Sequence, residues 1–127
     1  MQLPVYHTSY FSCPQLKTIN PDNLYSISRY PPKSWKGNLV KDLSPNENLL
    51  RLIKSGEITF NEFKYNYLAQ LEYLYTIGKL EGIMLKIPNQ SILLCYEKDK
   101  DICHRSILLD YLIDNNFVDK ASGELIT

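Results

Sequence analysis

The sequence predicts one α/β domain over residues 1–127, three layers deep, with a small and mainly parallel sheet flanked by helices. Three observations carry this prediction. Ser91-Ile92-Leu93-Leu94-Cys95-Tyr96 is a continuous apolar run of strand length without alternation, as in a strand covered on both faces at the centre of a parallel sheet. Two helix starts stand in the middle of the chain. The elements run in the order strand, strand, helices, strand, helix, with no repeat, low-complexity segment or linker between them.

Leu3 to Phe11 alternates enough to form a short first strand ending near Thr8 and Ser9. Asn20-Pro21-Asp22 turns the chain, and Leu24 to Ser28 reads as a second strand. Pro31-Pro32 must end it, because proline donates nothing to a ladder. A loop from Pro31 to Leu43 follows, with Arg29 at its root and Lys33, Trp35, Lys36 and Gly37 along it. Ser44-Pro45-Asn46-Glu47 has the form of a helix start: a capping Ser, Pro at the first helical position and an acidic residue three after the Ser. Leu49, Leu50, Leu52 and Ile53 form the apolar side of that short helix, and Gly56 ends it. Thr59-Phe60-Asn61-Glu62 repeats the box. Phe60, Phe63, Tyr67, Leu71 and Leu74 then mark the inner face of a long helix ending by Gly78. After the central strand, Asp99 to Asp101 offers a cap for a last helix whose stripe is Cys103, Ile107, Leu108, Tyr111 and Leu112. A short edge strand is expected after Asn115-Asn116.

Composition narrows the function classes. The chain is 44% hydrophobic and 22% charged, and its formal net charge is zero. That balance speaks against a generic electrostatic grip on nucleic acid or an acidic membrane and leaves only a local basic patch for such a role. No stretch approaches the roughly 18 apolar residues that span a bilayer, and MQLPVYHTSYFS lacks the charged start and apolar run of a signal peptide. The expected location is the cytoplasm, where Cys13, Cys95 and Cys103 are free thiols by default. Abundant Lys, Asn, Ile and Tyr fit an AT-rich coding genome, bacterial or phage.

The chemistry concentrates in Cys95 to Arg105, CYEKDKDICHR, where the central strand hands over to the last helix. Ligands of open parallel sheets bind outside the carboxyl ends of the strands, which is where Cys95 and Glu97 fall. With Asp101 as cap, Cys103 and His104 occupy the first helical turn, where free N–H groups and the positive dipole end favour anions. Arg105 adds a bidentate grip on phosphate or carboxylate. The same field favours a thiolate, which makes Cys103 the nucleophile candidate, His104 a proton shuttle and Glu97 a base. Cys103 also lies on the apolar stripe, however, so an inert packed thiol stands beside the reactive one, and for Cys95 the packed reading is the stronger. Arg29 projects over the same edge as a ligand-binding candidate or else is a solvated loop residue. Ser9, at the end of the first strand, is a further ligand-binding candidate. Trp35, between Lys33 and Lys36, stacks on a base or sugar or else lids the core.

No metal and no cofactor is expected. Cys95, Cys103, His104 and His7 make four zinc donors on paper, but adjacent Cys and His on a helix point in different directions and no CxxC knuckle is present. Asp99 and Asp101 are turn and cap residues.

At these residues the chain resembles a known family. LLCYEKDKDICHRSIL resembles the signature of the bacterial domain-of-unknown-function family 488, a strand ending in Cys-x-Glu followed by Cys-His-Arg at a helix start. HTSYF at 7–11 resembles that family's first strand, SISRYPPKSWKG at 26–37 its arginine-and-proline loop, and LSPNENLLRLIKSGEITFNEFKYNY at 43–67 its helical middle. The resemblance covers most of the chain, identifies it as a short version with a reduced C-terminal end, and nominates Arg29, Cys95, Glu97, Cys103, His104 and Arg105. It implies no activity.

Three functions follow as expectations. The first is a cleft for a small anionic, nucleotide-like molecule with a cysteine-assisted reaction on it. The second is a non-catalytic binding or regulatory protein that sequesters a ligand or docks a protein partner. The third, disfavoured by the charge, is nucleic-acid recognition through the Lys33–Trp35–Lys36 loop.

Overall fold

In a computed structural model, which describes residues 2–125, five strands form one sheet: β1 (His7–Tyr10), β2 (Leu24–Ser26), β3 (Asn38–Leu39), β4 (Ile92–Cys95) and β5 (Gly123–Glu124). Residues 1, 126 and 127 of the predicted domain lie outside the described residues. The strand order is β3-β2-β4-β1-β5, and each neighbouring pair is parallel. The chain is thus a small α/β domain with an all-parallel sheet, as the apolar run at 91–96 predicts.

All four residues of β4 are buried. Leu93 and Cys95 enter the core that holds the inner faces of α1 (Glu47–Lys54), α2 (Phe60–Thr76), α3 (Lys79–Leu85) and α4 (His104–Asp114). Ile92 and Leu94 enter a second, smaller cluster with Leu24, covered by Phe11, Leu16, Ile19 and Trp35. A strand wanted by two cores has no polar face, which is why its sequence shows no period of two. The third layer is thin, made of the 3-10 turn Pro14–Thr18 and the Trp35 loop rather than of helices.

The helix ends follow local chemistry, with departures from the predicted bounds at the start of α1, after Gly78 and at the start of α4. Thr59 and Glu62 form the expected reciprocal box: Glu62 N–H donates to Thr59 Oγ1 at 3.1 Å and Thr59 N–H to Glu62 Oε1 at 3.0 Å. At α1 the cap is Asn46, whose Oδ1 accepts from Leu49 N–H at 2.8 Å, and not Ser44. The Ser44 hydroxyl is spent on Lys41 O at 2.6 Å, closing a 3-10 turn. Beyond Gly78 (φ +79°) a further helix, α3, packs Leu80 and Met84 at i, i+4 spacing; it is absent from the sequence prediction. The loop expected over 31–43 contains β3, a two-residue edge strand on β2. Among the described residues no helix is long and apolar enough to cross a membrane.

The departure that matters for the site is at α4. The Asp99 carboxylate caps the 3-10 turn Lys100–Ile102 instead of the helix, and Cys103 is the extended N-cap residue of α4 (φ −120°, ψ 147°). Cys103 therefore precedes the first turn, and of the candidate residues only His104 and Arg105 lie in it.

Candidate functional site

In an all-parallel sheet every strand ends on the same edge. Past that edge β2 continues into Ile27, Ser28 and Arg29, and β4 into Tyr96 and Glu97. A cavity of about 480 Å³ opens there, within the size range of small-molecule sites. Its chemical side carries Arg29, Cys95, Glu97, Cys103 and His104, and its apolar wall is Leu50 and Ile53 of α1 with Phe60 and Phe63 of α2. Five of the eight candidate residues thus meet in one cleft.

Arg29 is half-buried, and its Nε is a buried side-chain nitrogen with no hydrogen-bond partner. A guanidinium N–H withdrawn from water without an acceptor is costly, and an acceptor supplied by a ligand removes that cost. The loop that holds Arg29 is pinned: Tyr96 Oη donates to the Tyr30 carbonyl, and Tyr30 Oη donates to Glu47. Glu97 is exposed on the opposite lip.

His104 is buried against Tyr67, ring edge to ring face, with centroids 5.5 Å apart. Its Nε2 lies 2.6 Å from the Ile27 carbonyl oxygen. A carbonyl only accepts, so Nε2 carries the proton and Nδ1 presents a lone pair, 3.9 Å from Cys103 Sγ. Burial holds the ring neutral, pushing its pKa down to about 4; the bond to Ile27 opposes this, and the Arg105 charge adds to it.

Cys95 and Cys103 are paired as a disulfide, not free, with Cα atoms 7.2 Å apart. The register of β4 and the extended N-cap of α4 aim the two side chains at one point. Cys13 is the free cysteine among the described residues, buried and away from the cleft. Cys103 is consequently not the lone first-turn thiolate the sequence suggests, and it becomes a thiol only on reduction. Cys95, Cys103 and His104 also make up the one group of His, Cys, Asp or Glu among the described residues that can surround a metal ion, their ligand atoms lying within 4.8 Å of one another. His7 does not join them. It pairs with Ile92 at the other end of β4, three residues or about 10 Å from the Cys95 register.

Three candidates lie elsewhere. Arg105 has no exposed surface, and all five of its N–H donors are engaged. Nε donates to Glu124 Oε1 at 3.0 Å and Nη2 to Glu124 Oε2 at 2.8 Å and Lys98 O at 3.0 Å; Nη1 donates to Glu97 O and to Cys95 Sγ at 3.1 Å. No donor remains for a ligand, so Arg105 braces the strand-to-helix loop rather than gripping an anion. Ser9 is buried within β1 opposite Leu94, outside the cleft. Trp35 meets Phe11 edge-on at 5.2 Å over the second core and donates Nε1–H to Asn38 O, so it lids that core instead of offering a stacking face.

Sequence reasoning passed over Glu124, the Ile27 carbonyl and Tyr67. Tyr67 stands on the inner face of α2 that the spacing predicts, but nothing local pairs it with His104. Glu124 accepts from Thr8 Oγ1 at 2.7 Å as well as from Arg105, and no motif marks it.

The family profile described as "Active DUF488-N3 subclade" matches residues 18–116 of the chain. No curated protein and no solved structure matches the chain.

Proposed function

The chain belongs to the DUF488 family, and from that premise we propose that its cleft binds a small anionic, nucleotide-like molecule on which Cys103, reduced and beside His104, acts. The observation that carries this reading is Arg29: its buried Nε has no partner, and it lines the same cavity as Cys103 and His104. The cleft supplies the other parts such a ligand needs. Arg29 and Lys54 meet charge, the Phe60 and Phe63 wall takes an apolar ring, and Glu97 accepts hydrogen bonds. His104 Nδ1 is the proton acceptor nearest Cys103 Sγ. The matched subclade is described as active, and that word carried to this chain favours chemistry over storage.

Titration of the reduced protein with inorganic phosphate and with a nucleoside monophosphate, followed by calorimetry, tests the reading. Arg29→Met is expected to weaken binding by about tenfold or more, near 1.4 kcal/mol. Iodoacetamide should label Cys103 faster than a model thiol, and bound anion should protect it. Unchanged affinity in Arg29→Met sinks the anion site, and labelling no faster than a model thiol sinks the nucleophile.

A second reading, ligand binding without chemistry, draws on the Cys95–Cys103 disulfide, which leaves the cleft no free nucleophile. A Cys103→Ala variant that keeps the full effect of the protein in its host selects it.

A further inference from the structure

We propose that Cys95, Cys103 and His104, once a thiol or phosphine has reduced the Cys95–Cys103 disulfide to two thiolates, form a three-ligand site for a zinc-class divalent ion, with the fourth coordination position open to the cleft. The proposal deepens the reading of that cleft and rests on it for the open side, where Cys103 acts through the ion it holds.

The donors are of the right kind and converge. Two thiolates and an imidazole are the soft and borderline ligands that select zinc over calcium or magnesium. Their ligating atoms lie within 4.8 Å of one another, and Cys103 Sγ stands 3.9 Å from His104 Nδ1. Tetrahedral zinc, with bonds of about 2.3 Å to sulfur and about 2.0–2.1 Å to nitrogen, sets such a pair roughly 3.5 Å apart. The Cys95–Cys103 pairing already brings the two sulfurs to one point beside His104, and reduction of that bond supplies two thiolates there.

Adjacent Cys and His on a regular helix diverge, but Cys103 is extended and only His104 is helical, so the chain bends between the two ligands.

The surroundings are those of a metal site. His104 gives Nε2–H to Ile27 O at 2.6 Å, which fixes the ring and leaves Nδ1 for the ion. Arg105 gives Nη1–H to Cys95 Sγ at 3.1 Å, an outer contact of the kind that holds a metal-bound thiolate. Charges also close: two thiolates balance a divalent ion, while Arg105 and Glu124 balance each other. Glu97 and Arg29 line the same cavity outside the ligand set, so water or a ligand atom completes the coordination. Three protein ligands and an open position are the pattern of catalytic rather than structural zinc.

The full chain, reduced with a phosphine and stripped by chelator, is titrated with Co²⁺ alone and then with Zn²⁺. One cobalt per chain should bind, with the d–d bands of tetrahedral cobalt and a thiolate-to-cobalt charge-transfer band, both erased by zinc. Cys103→Ser and His104→Ala should each weaken binding by at least about a hundredfold, while Cys13→Ser leaves it unchanged. Because a ligand variant can fail to fold, the wild type is also oxidised with diamide. Formation of the Cys95–Cys103 disulfide should abolish the cobalt spectrum, with far-UV circular dichroism retained, and reduction should restore it. Cobalt binding that lacks the charge-transfer band, or that survives oxidation, overturns the site. Azide is small enough to enter any open fourth position and should shift the d–d bands; unshifted bands overturn the open side. Arg29→Met should bind cobalt normally. A failed metal site with intact phosphate binding is therefore distinguishable from a failed anion site with intact cobalt binding.

Discussion

Arg105 and His104 are neighbours in sequence with different work. Arg105 is wholly buried, and its fork satisfies two carbonyls, one sulfur and both oxygens of Glu124. Lysine carries the charge but not the fork, so Arg105→Lys leaves several of these acceptors unpaired in the interior. The expected loss is about 3 kcal/mol of unfolding free energy in a urea titration, and a loss under about 1 kcal/mol contradicts the bracing role. His104 makes stability depend on pH. Its folded-state pKa is about 4 against 6.5 for the ordinary imidazole, with burial the largest cause. Between those values the unfolded chain binds more protons, so stability is full above about pH 6.5 and falls as pH drops towards 4. For the reduced, metal-free protein the loss over that window is about 3 kcal/mol. His104→Gln can keep a donor to Ile27 O while removing the titration, and its urea midpoint should vary less with pH than that of the wild type. Equal pH slopes in the two proteins count against the burial of a neutral ring.

The elements obey short-range rules, and their exceptions are informative. The Thr59 capping box and the Gly56 and Gly78 stops are read directly from neighbouring residues, and they stand where the sequence puts them. The start of α1 moves from Ser44 to Asn46 because two eligible caps compete. The competition is settled outside the motif, where Gln70 of α2 donates to Ser44 O at 2.7 Å and accepts from Asn46 N–H at 2.9 Å. Gly37 belongs to the same class. A Cβ there would come within 2.5 Å of Trp35 Cζ2 and 2.8 Å of the Leu24 carbonyl oxygen. Gly37→Ala must therefore push the indole off the second core. The expected result is a red shift in the fluorescence of the chain's one tryptophan and a loss of about 1–3 kcal/mol. Cleft properties should be unaffected, because Trp35 does not line the cleft.

Across the whole molecule, β4 is the axis. It pairs with β2 on one side and β1 on the other, and its side chains divide between the two cores. Opening it requires both cores to open, so its amides should exchange last, at the free energy of global unfolding. Hydrogen exchange at Leu93 and Leu94 no slower than in α3, which buries only Leu80 and Met84, is the outcome that denies β4 this role. The site hangs from the same axis: the carboxyl end of β4 carries Cys95 and Glu97, and the adjoining end of β2 carries Arg29. By itself the sequence determined the α/β class, the central buried strand and the long capped helix, and it nominated the stretch from Cys95 to Arg105 as the candidate site. Those features rest on patterns within a few residues: apolar runs, three- and four-residue spacing, caps and stops. Tertiary structure alone decided which of the nominated groups meet. His104 is held by a carbonyl 77 residues away, and Arg105 is consumed by a carboxylate 19 residues on. It also decided that Cys103 stands before its helix, close enough to Cys95 to share a bond or an ion. The physical reason is that periodicity fixes which face of an element is buried, whereas the partner on that face is chosen by how separate elements pack.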